Sequence, residues 1–156
     1  EARRQICADA RTARAHMVSE PALEFVFEEH VTLGERVSVG QTPHGERFII
    51  PITGGAFEGP GLRGTILPGG WDWQLKRADG LEVKADYFIR TDDGAIINVV
   101  NEGLIRPGEP VRTQARLEAP LGAYEWLNHR AFIGTLEPVI EDGILSAVRI
   151  RFYKAV

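Results

Sequence analysis

Glycine-closed turns punctuate this chain at intervals of about ten residues, and they constrain its fold more than any other feature. Pro68-Gly69-Gly70, Ala78-Asp79-Gly80, Asp92-Asp93-Gly94, Arg106-Pro107-Gly108 and Glu141-Asp142-Gly143 separate short stretches in which apolar and polar residues alternate. Alternation is the period of a strand with one buried face, whereas an amphipathic helix repeats every 3.6 residues or so, at about 100° per residue. Leu23, Phe25 and Phe27 alternate with Glu24 and Glu28; Phe48, Ile50 and Ile52 form a second row; Val148, Ile150 and Phe152 alternate with Arg149, Arg151 and Tyr153. Further strands are expected over Leu62 to Leu67, Trp71 to Arg77, Leu81 to Arg90, Ala95 to Asn101, Val111 to Glu118 and Trp126 to Thr135. The run Thr53 to Gly61 is too rich in glycine for a regular element and is expected to be a loop. Eight or more strands joined by tight turns predict an all-β fold, a single antiparallel β-barrel built as a hairpin-rich meander.

Charge narrows the partners. Residues 1–16 carry a net +2, so the remaining 140 residues carry −6 of the chain's −4 total. An acidic body without a basic stripe argues against nucleic acid, whose binding rests on Lys and Arg at phosphates. No run of eighteen apolar residues is present, so no membrane span is expected, and the first twenty residues lack the apolar core of a signal peptide. The chain's one methionine, Met17, follows His16, and all strand-like pattern lies after it. Residues 1–16 therefore read as a vector or leader segment, or alternatively as an N-terminal helical extension, ahead of a barrel domain over 17–156. Cys7 is the sole cysteine, which excludes an internal disulfide framework and leaves the domain cysteine-free, as suits the cytoplasm.

Turn length sets register, and register decides which side chains share a face. Three-residue loops at Ala78-Asp79-Gly80 and Asp92-Asp93-Gly94 suit a type I turn closed by a left-handed glycine. They predict pairs Leu75–Val83, Trp73–Ala85, Ile89–Ile97, Tyr87–Val99 and Ala85–Asn101, and set Asp72 opposite Asp86. One face then gathers Trp73, Tyr87 and Asn101 with Val83, Ala85 and Ile97, while Asp72, Gln74, Lys84 and Asp86 fall on the charged face. Tyr87 and Asn101 bring polar ends to an apolar face, where they either satisfy one another or point into a ligand cavity.

The segments Gly54-Gly55-Ala56-Phe57-Glu58-Gly59-Pro60, Leu62-Arg63-Gly64, Leu67-Pro68-Gly69-Gly70, Asp72-Trp73, Thr91-Asp92-Asp93-Gly94-Ala95, Asn101-Glu102-Gly103 and Tyr124-Glu125-Trp126-Leu127-Asn128 carry a resemblance. As a set, covering about Leu23 to Tyr153, they resemble the bacterial and fungal family catalogued as domain of unknown function 3237. The resemblance implies one β-barrel of about 150 residues, a frequently oligomeric state, no recognised cofactor and no activity common to the family. It also implies an acidic residue where Lys84 stands and an arginine where Asp86 stands; the charges are exchanged here, and the register makes them a solvated surface pair.

The four histidines have neither HxH nor HExxH spacing, so no metal site is expected. No GxSxG elbow and no P-loop ending are present, which leaves acid–base chemistry by carboxylate, histidine or tyrosine. The expected activity is that of a cofactor-independent isomerase, cyclase or lyase moving protons on a small hydrophobic, aromatic or polyketide-like molecule. Asp72 or His129 would move the proton, while Trp73, Tyr87, Asn101 and Trp126 would bind the substrate. The alternatives are a non-catalytic ligand-binding barrel and an oligomeric structural barrel without ligand.

Overall fold

The alternating rows become ten antiparallel strands in the computed structural model, which describes residues 19–156. The leader or extension expected at residues 1–16 lies outside the described residues. In chain order the strands are β1 (Leu23–Leu33), β2 (Val37–Thr42), β3 (Gly45–Gly59), β4 (Leu62–Ile66), β5 (Gly70–Arg77), β6 (Gly80–Thr91), β7 (Ile96–Ile105), β8 (Arg112–Glu118), β9 (Phe132–Glu141) and β10 (Ile144–Ala155). From β6 to β10 each strand pairs with the next, as the hairpin turns require. β1 then pairs with β10 on one side and β3 on the other, so the sheet closes on itself. β4 and β5 run in the same direction and fill, end to end, the one position between β3 and β6. The ring therefore has eight positions, with β2 added along β3. Among the described residues no helix is long and apolar enough to cross a membrane.

The glycine-rich run expected to be a loop is the second half of β3, and the reason is a change of partners. Before Ile52, β3 lies against β5; from Ala56 it lies against β4, with β1 on its other edge. Gly54 and Gly55 make the bend, with φ of 149° and 131°. A Cβ on Gly55 would also run into the backbone oxygen of His30 on β1. Glycine here is the corner of a barrel strand rather than a loop.

The expected strand from Trp126 is likewise replaced at its start by a 3-10 helix, Glu125–His129, and β9 begins only at Phe132. This short helix plugs one end of the barrel. Leu127 is fully buried there, and Asn128 pairs both ways with the Ala119 backbone, accepting from its N–H at 2.7 Å and donating to its oxygen at 3.0 Å. Beneath the plug the interior is packed with aromatic rings, Phe27 lying 4.8 Å from Phe152 and 5.7 Å, edge on, from Phe57.

The two expected hairpin registers have different outcomes. At β6–β7 the pairs Ile89–Ile97, Tyr87–Val99 and Ala85–Asn101 are those expected, and the Gly94 N–H closes the turn on the Thr91 oxygen at 2.9 Å with φ of 95° at Gly94. At β5–β6 the register is one residue off the expectation. Gly80 pairs with Arg77 inside the sheet, leaving a two-residue loop, so Trp73 faces Lys84, Asp72 faces Ala85 and Trp71 faces Asp86. A Cβ on Gly80 would approach the Ile105 oxygen at 2.5 Å, which makes this glycine a strand residue beside β7. The one-residue shift exchanges the faces of β5. Asp72 and Gln74 turn inward, and Trp71 and Trp73 turn outward, 42% and 49% exposed.

Gly55→Ala is expected to destabilise the barrel by at least about 2 kcal/mol in urea unfolding, because it adds a backbone clash to a strained φ. Gly108→Ala, with φ of 76° in open space, is expected to cost about 1 kcal/mol. Equal effects would show that the corner is not held as described.

Candidate functional site

Carboxylates rarely face the inside of a small barrel, and this one has two. β1 carries Phe27, Glu29, Val31 and Leu33 along its inner row, so strand alternation places Glu29 at the centre, fully buried. The Tyr87 hydroxyl, from β6, donates to Glu29 Oε2 at 2.5 Å, and Oε1 has no partner among the described residues. Tyr87 gains its room from β5: a Cβ at Gly70 would lie 2.5 Å from the Tyr87 Cβ. Burial pushes the Glu29 carboxyl up to about 8, its bond from Tyr87 offsetting only part of the rise. The Tyr87 phenol is pushed well above its ordinary value, first by burial and then by Glu29. At neutral pH both groups hold their protons.

Tyr87 divides the interior. On the plug side lie the packed rings; on the other side lies a cavity of about 40 Å³, walled by Val31, Leu33, Ile52, Leu136 and Val148 and reached by Asp72, Tyr87, Asn101 and Thr113. The space is room for a few waters or one end of a larger molecule. Strand pairing explains why it is open. The row Phe48, Gln74, Val83, Gly103, Thr113 and Gly134 contains two glycines flanking Thr113, and a Cβ at Gly134 would run into the Thr113 hydroxyl. Asn101 Oδ1 and Thr113 Oγ1 are buried there without hydrogen-bond partners among the described residues. Such atoms are costly unless a ligand or water completes them.

Asp72 differs from Glu29. Burial raises it to about 6, against lowering by a hydrogen bond from Gln74 and by the nearby Arg36 charge. Gln74 Nε2 donates to Asp72 Oδ2 at 3.1 Å, and Arg36 Nε donates to Gln74 Oε1 at 2.9 Å. This chain of side chains leads from the cavity to a surface groove of about 710 Å³, whose lining includes Arg36, Phe48, Leu81 and Ile105. At pH 7 Asp72 is mainly ionised and Glu29 mainly protonated, so one cavity end has a base and a tyrosine-backed acid.

Of the residues singled out by sequence, the structure brings Asp72, Tyr87 and Asn101 together on the cavity. Trp73 lies on the outer face, 5.7 Å from the Arg47 guanidinium. Trp126 and His129 belong to the plug, Trp126 half-buried under the Lys154 ammonium at 5.0 Å and His129 exposed. Lys84 and Asp86 are exposed, and Asp86 accepts from Asn98 at 2.8 Å. Sequence reasoning missed Glu29, Thr113, Gln74 and Arg36. Glu29 had a signal, since continuing the β1 alternation past Phe27 places a carboxylate in an apolar row. Among the described residues no cluster of three metal-ligating side chains occurs.

Comparison with known proteins gives a consistent grouping. The model of the family described as protein of unknown function (DUF3237) matches residues 21–112. A UPF0311 protein of Rhodopseudomonas palustris is 38% identical over 135 residues, covering 74% of this chain and 88% of the relative. A Penicillium herquei protein named as a hydroalkoxylation enzyme is 33% identical over 131 residues, covering 83% of this chain and 84% of that protein. The crystal structure of a β-barrel-like protein of Acinetobacter baumannii superposes with a TM-score of 0.79 at 28% identity, covering 89% of this chain and 98% of the other.

The raised carboxyls predict a pH dependence of stability. A carboxyl whose folded value lies above its unfolded value stabilises fully below the unfolded value and loses that stabilisation as pH rises to the folded one. For Asp72 the window is 3.8 to about 6, and for Glu29 it is 4.5 to about 8. Between pH 6 and 8, stability is expected to fall by up to about 1.4 kcal/mol per pH unit through Glu29. In Glu29→Gln this slope is expected to disappear from urea unfolding curves; an unchanged slope would mean that Glu29 is ionised in the fold.

Proposed function

Starting from the fact that this chain belongs to the DUF3237 (UPF0311) family, we propose that it is a cofactor-independent barrel enzyme that closes a ring by adding a hydroxyl across an activated carbon–carbon double bond. The observation that carries this reading is the cavity itself: apolar walls around Asp72, Tyr87 and the unpartnered polar atoms of Asn101 and Thr113. Support comes from the Penicillium herquei relative, whose name states hydroalkoxylation. The addition is an isomerisation, so atoms balance within the substrate, and it needs one base and one acid. Asp72 removes the hydroxyl proton, and the freed oxygen attacks the alkene carbon. Asn101 and Thr113 hold the polar end of the substrate. Tyr87 returns a proton to the neighbouring carbon and takes one from Glu29 as their shared bond reverses, and Asp72 then gives its proton back to Glu29 through Tyr87. The cavity admits the reacting end, while the remainder of a flat molecule lies toward the groove. The cysteine-free segment after Cys7 supports a cytoplasmic setting for this chemistry.

The test is cyclisation of a hydroxy-enone such as 2′-hydroxychalcone, followed against the uncatalysed rate. Wild type is expected to accelerate ring closure with a bell-shaped kcat/KM profile whose limbs fall near pH 6 and 8, the Asp72 and Glu29 values. Asp72→Asn is expected to lose about 10²–10⁴-fold and the acid limb with it, and Tyr87→Phe to lose turnover while still binding. Turnover equal to background in wild type, with the chalcone bound, would make the barrel a carrier. Full turnover by Asp72→Asn would remove Asp72 as base.

A further inference from the structure

The groove linked to the cavity through Gln74 and Arg36 is unusual for an acidic protein. Arg36, Lys76, Arg77 and Arg106 line it against one acid, Asp79. Two of these cations are committed: Arg77 holds Asp79 at 2.7 Å and Glu82 at 3.1 Å, and Arg106 lies 3.9 Å from Glu109. Arg36 and Lys76 make no ion pair among the described residues. Arg36 is nevertheless held in place. Its guanidinium carbon stacks 3.5 Å above the Phe48 ring, and its Nε is engaged by Gln74, itself buried. Stacking and the Nε bond fix the plane of the guanidinium and leave its two terminal nitrogens free of acceptors among the described residues. A fixed, planar pair of N–H donors is the geometry that takes both oxygens of a carboxylate.

Resting on the proposed function above and naming its substrate class, we infer that this groove recognises a carboxylate on a flat aromatic substrate, with Arg36 as the receiving group. Phe48, Leu81 and Ile105 take the ring body, and the reacting end points past Gln74 to Asp72 and Tyr87. Gln74 separates the substrate anion from the Asp72 carboxylate, its amide oxygen accepting from Arg36 and its amide nitrogen donating to Asp72. The same link gives the anion an effect on the base. Arg36 holds Asp72 down while its charge is free; a bound carboxylate neutralises that charge and lets Asp72 rise, strengthening it as a base when substrate is present. The charged and titratable groups facing Asp72 are the Arg36 cation, linked through Gln74, and the Tyr87 phenol, with the protonated Glu29 behind it.

The experiment compares 2-naphthoate with its neutral analogue 2-naphthamide, binding being followed by backbone amide NMR shifts of the full chain. Naphthoate is expected to bind at least tenfold more tightly, with shifts at Arg36, Phe48 and Ile105, and to move the Asp72 carboxyl titration upward. Arg36→Gln is expected to abolish the preference, and Arg36→Lys, which keeps the charge and loses the planar fork, to keep only part of it. Lys76→Gln is expected to leave it within twofold. Equal binding of the two probes, or a preference intact in Arg36→Gln, would overturn the assignment. Asp72→Asn separates the two readings: it removes ring closure, yet the naphthoate preference is expected to persist. A preference that vanished in Asp72→Asn while surviving in Arg36→Gln would place recognition at the base and refute Arg36.

Discussion

A carboxyl group with no charge partner among the described residues sits at the centre of this barrel, and the rest of the interior is arranged around it. An ionised carboxylate at the position of Glu29 would be too costly to bury alone. The fold meets this by keeping Glu29 protonated and giving it the Tyr87 hydroxyl at 2.5 Å. Tyr87 can stand there because β5 offers only the hydrogen of Gly70 across from it. The pair then separates the aromatic packing under the Leu127 plug from the small open space on the other side.

The chemistry follows from how differently two carboxyls are treated. Glu29 is fully buried with no cation against it among the described residues, and burial dominates. Asp72 is linked to the groove, where Gln74 and Arg36 partly offset the same effect. Their values are pushed to either side of neutrality, with a tyrosine next to both, and that is the condition for acid and base to coexist in one cavity. Neither group would have this property on an exposed strand, so the proposed activity depends on barrel closure as much as on residue identity.

The barrel was legible because turns and alternation are local. Asp92-Asp93-Gly94 specified the β6–β7 register correctly, and with it the shared face of Tyr87 and Asn101. The β5–β6 register was not legible, and the reason is physical. Binary patterning assumes that tryptophan faces in and aspartate faces out. At β5 the opposite holds, because the inward polar residues, Asp72 and Gln74, belong to the cavity and its link to the groove. Local rules fail where function competes with packing. Gly80 looked like a turn residue, yet its conformation is set by the close approach of Ile105 from β7, a contact no local window contains. The same holds for Gly54 and Gly55, whose bend serves a change of strand partners. The Trp126 block had an ambiguous apolar pattern, and the bond between Asn128 and the Ala119 backbone decides it as a plug.

The central claim is that Glu29 is a neutral acid in the folded protein at pH 7. A direct measurement is the titration of the Glu29 side-chain carboxyl by carbon-13 NMR, assigned by comparison with Glu29→Gln. The account predicts a midpoint near 8, with no change in chemical shift between pH 4 and 6. A midpoint near the ordinary 4.5 would show a buried carboxylate at neutral pH and would contradict both the division of the barrel and the acid half of its chemistry.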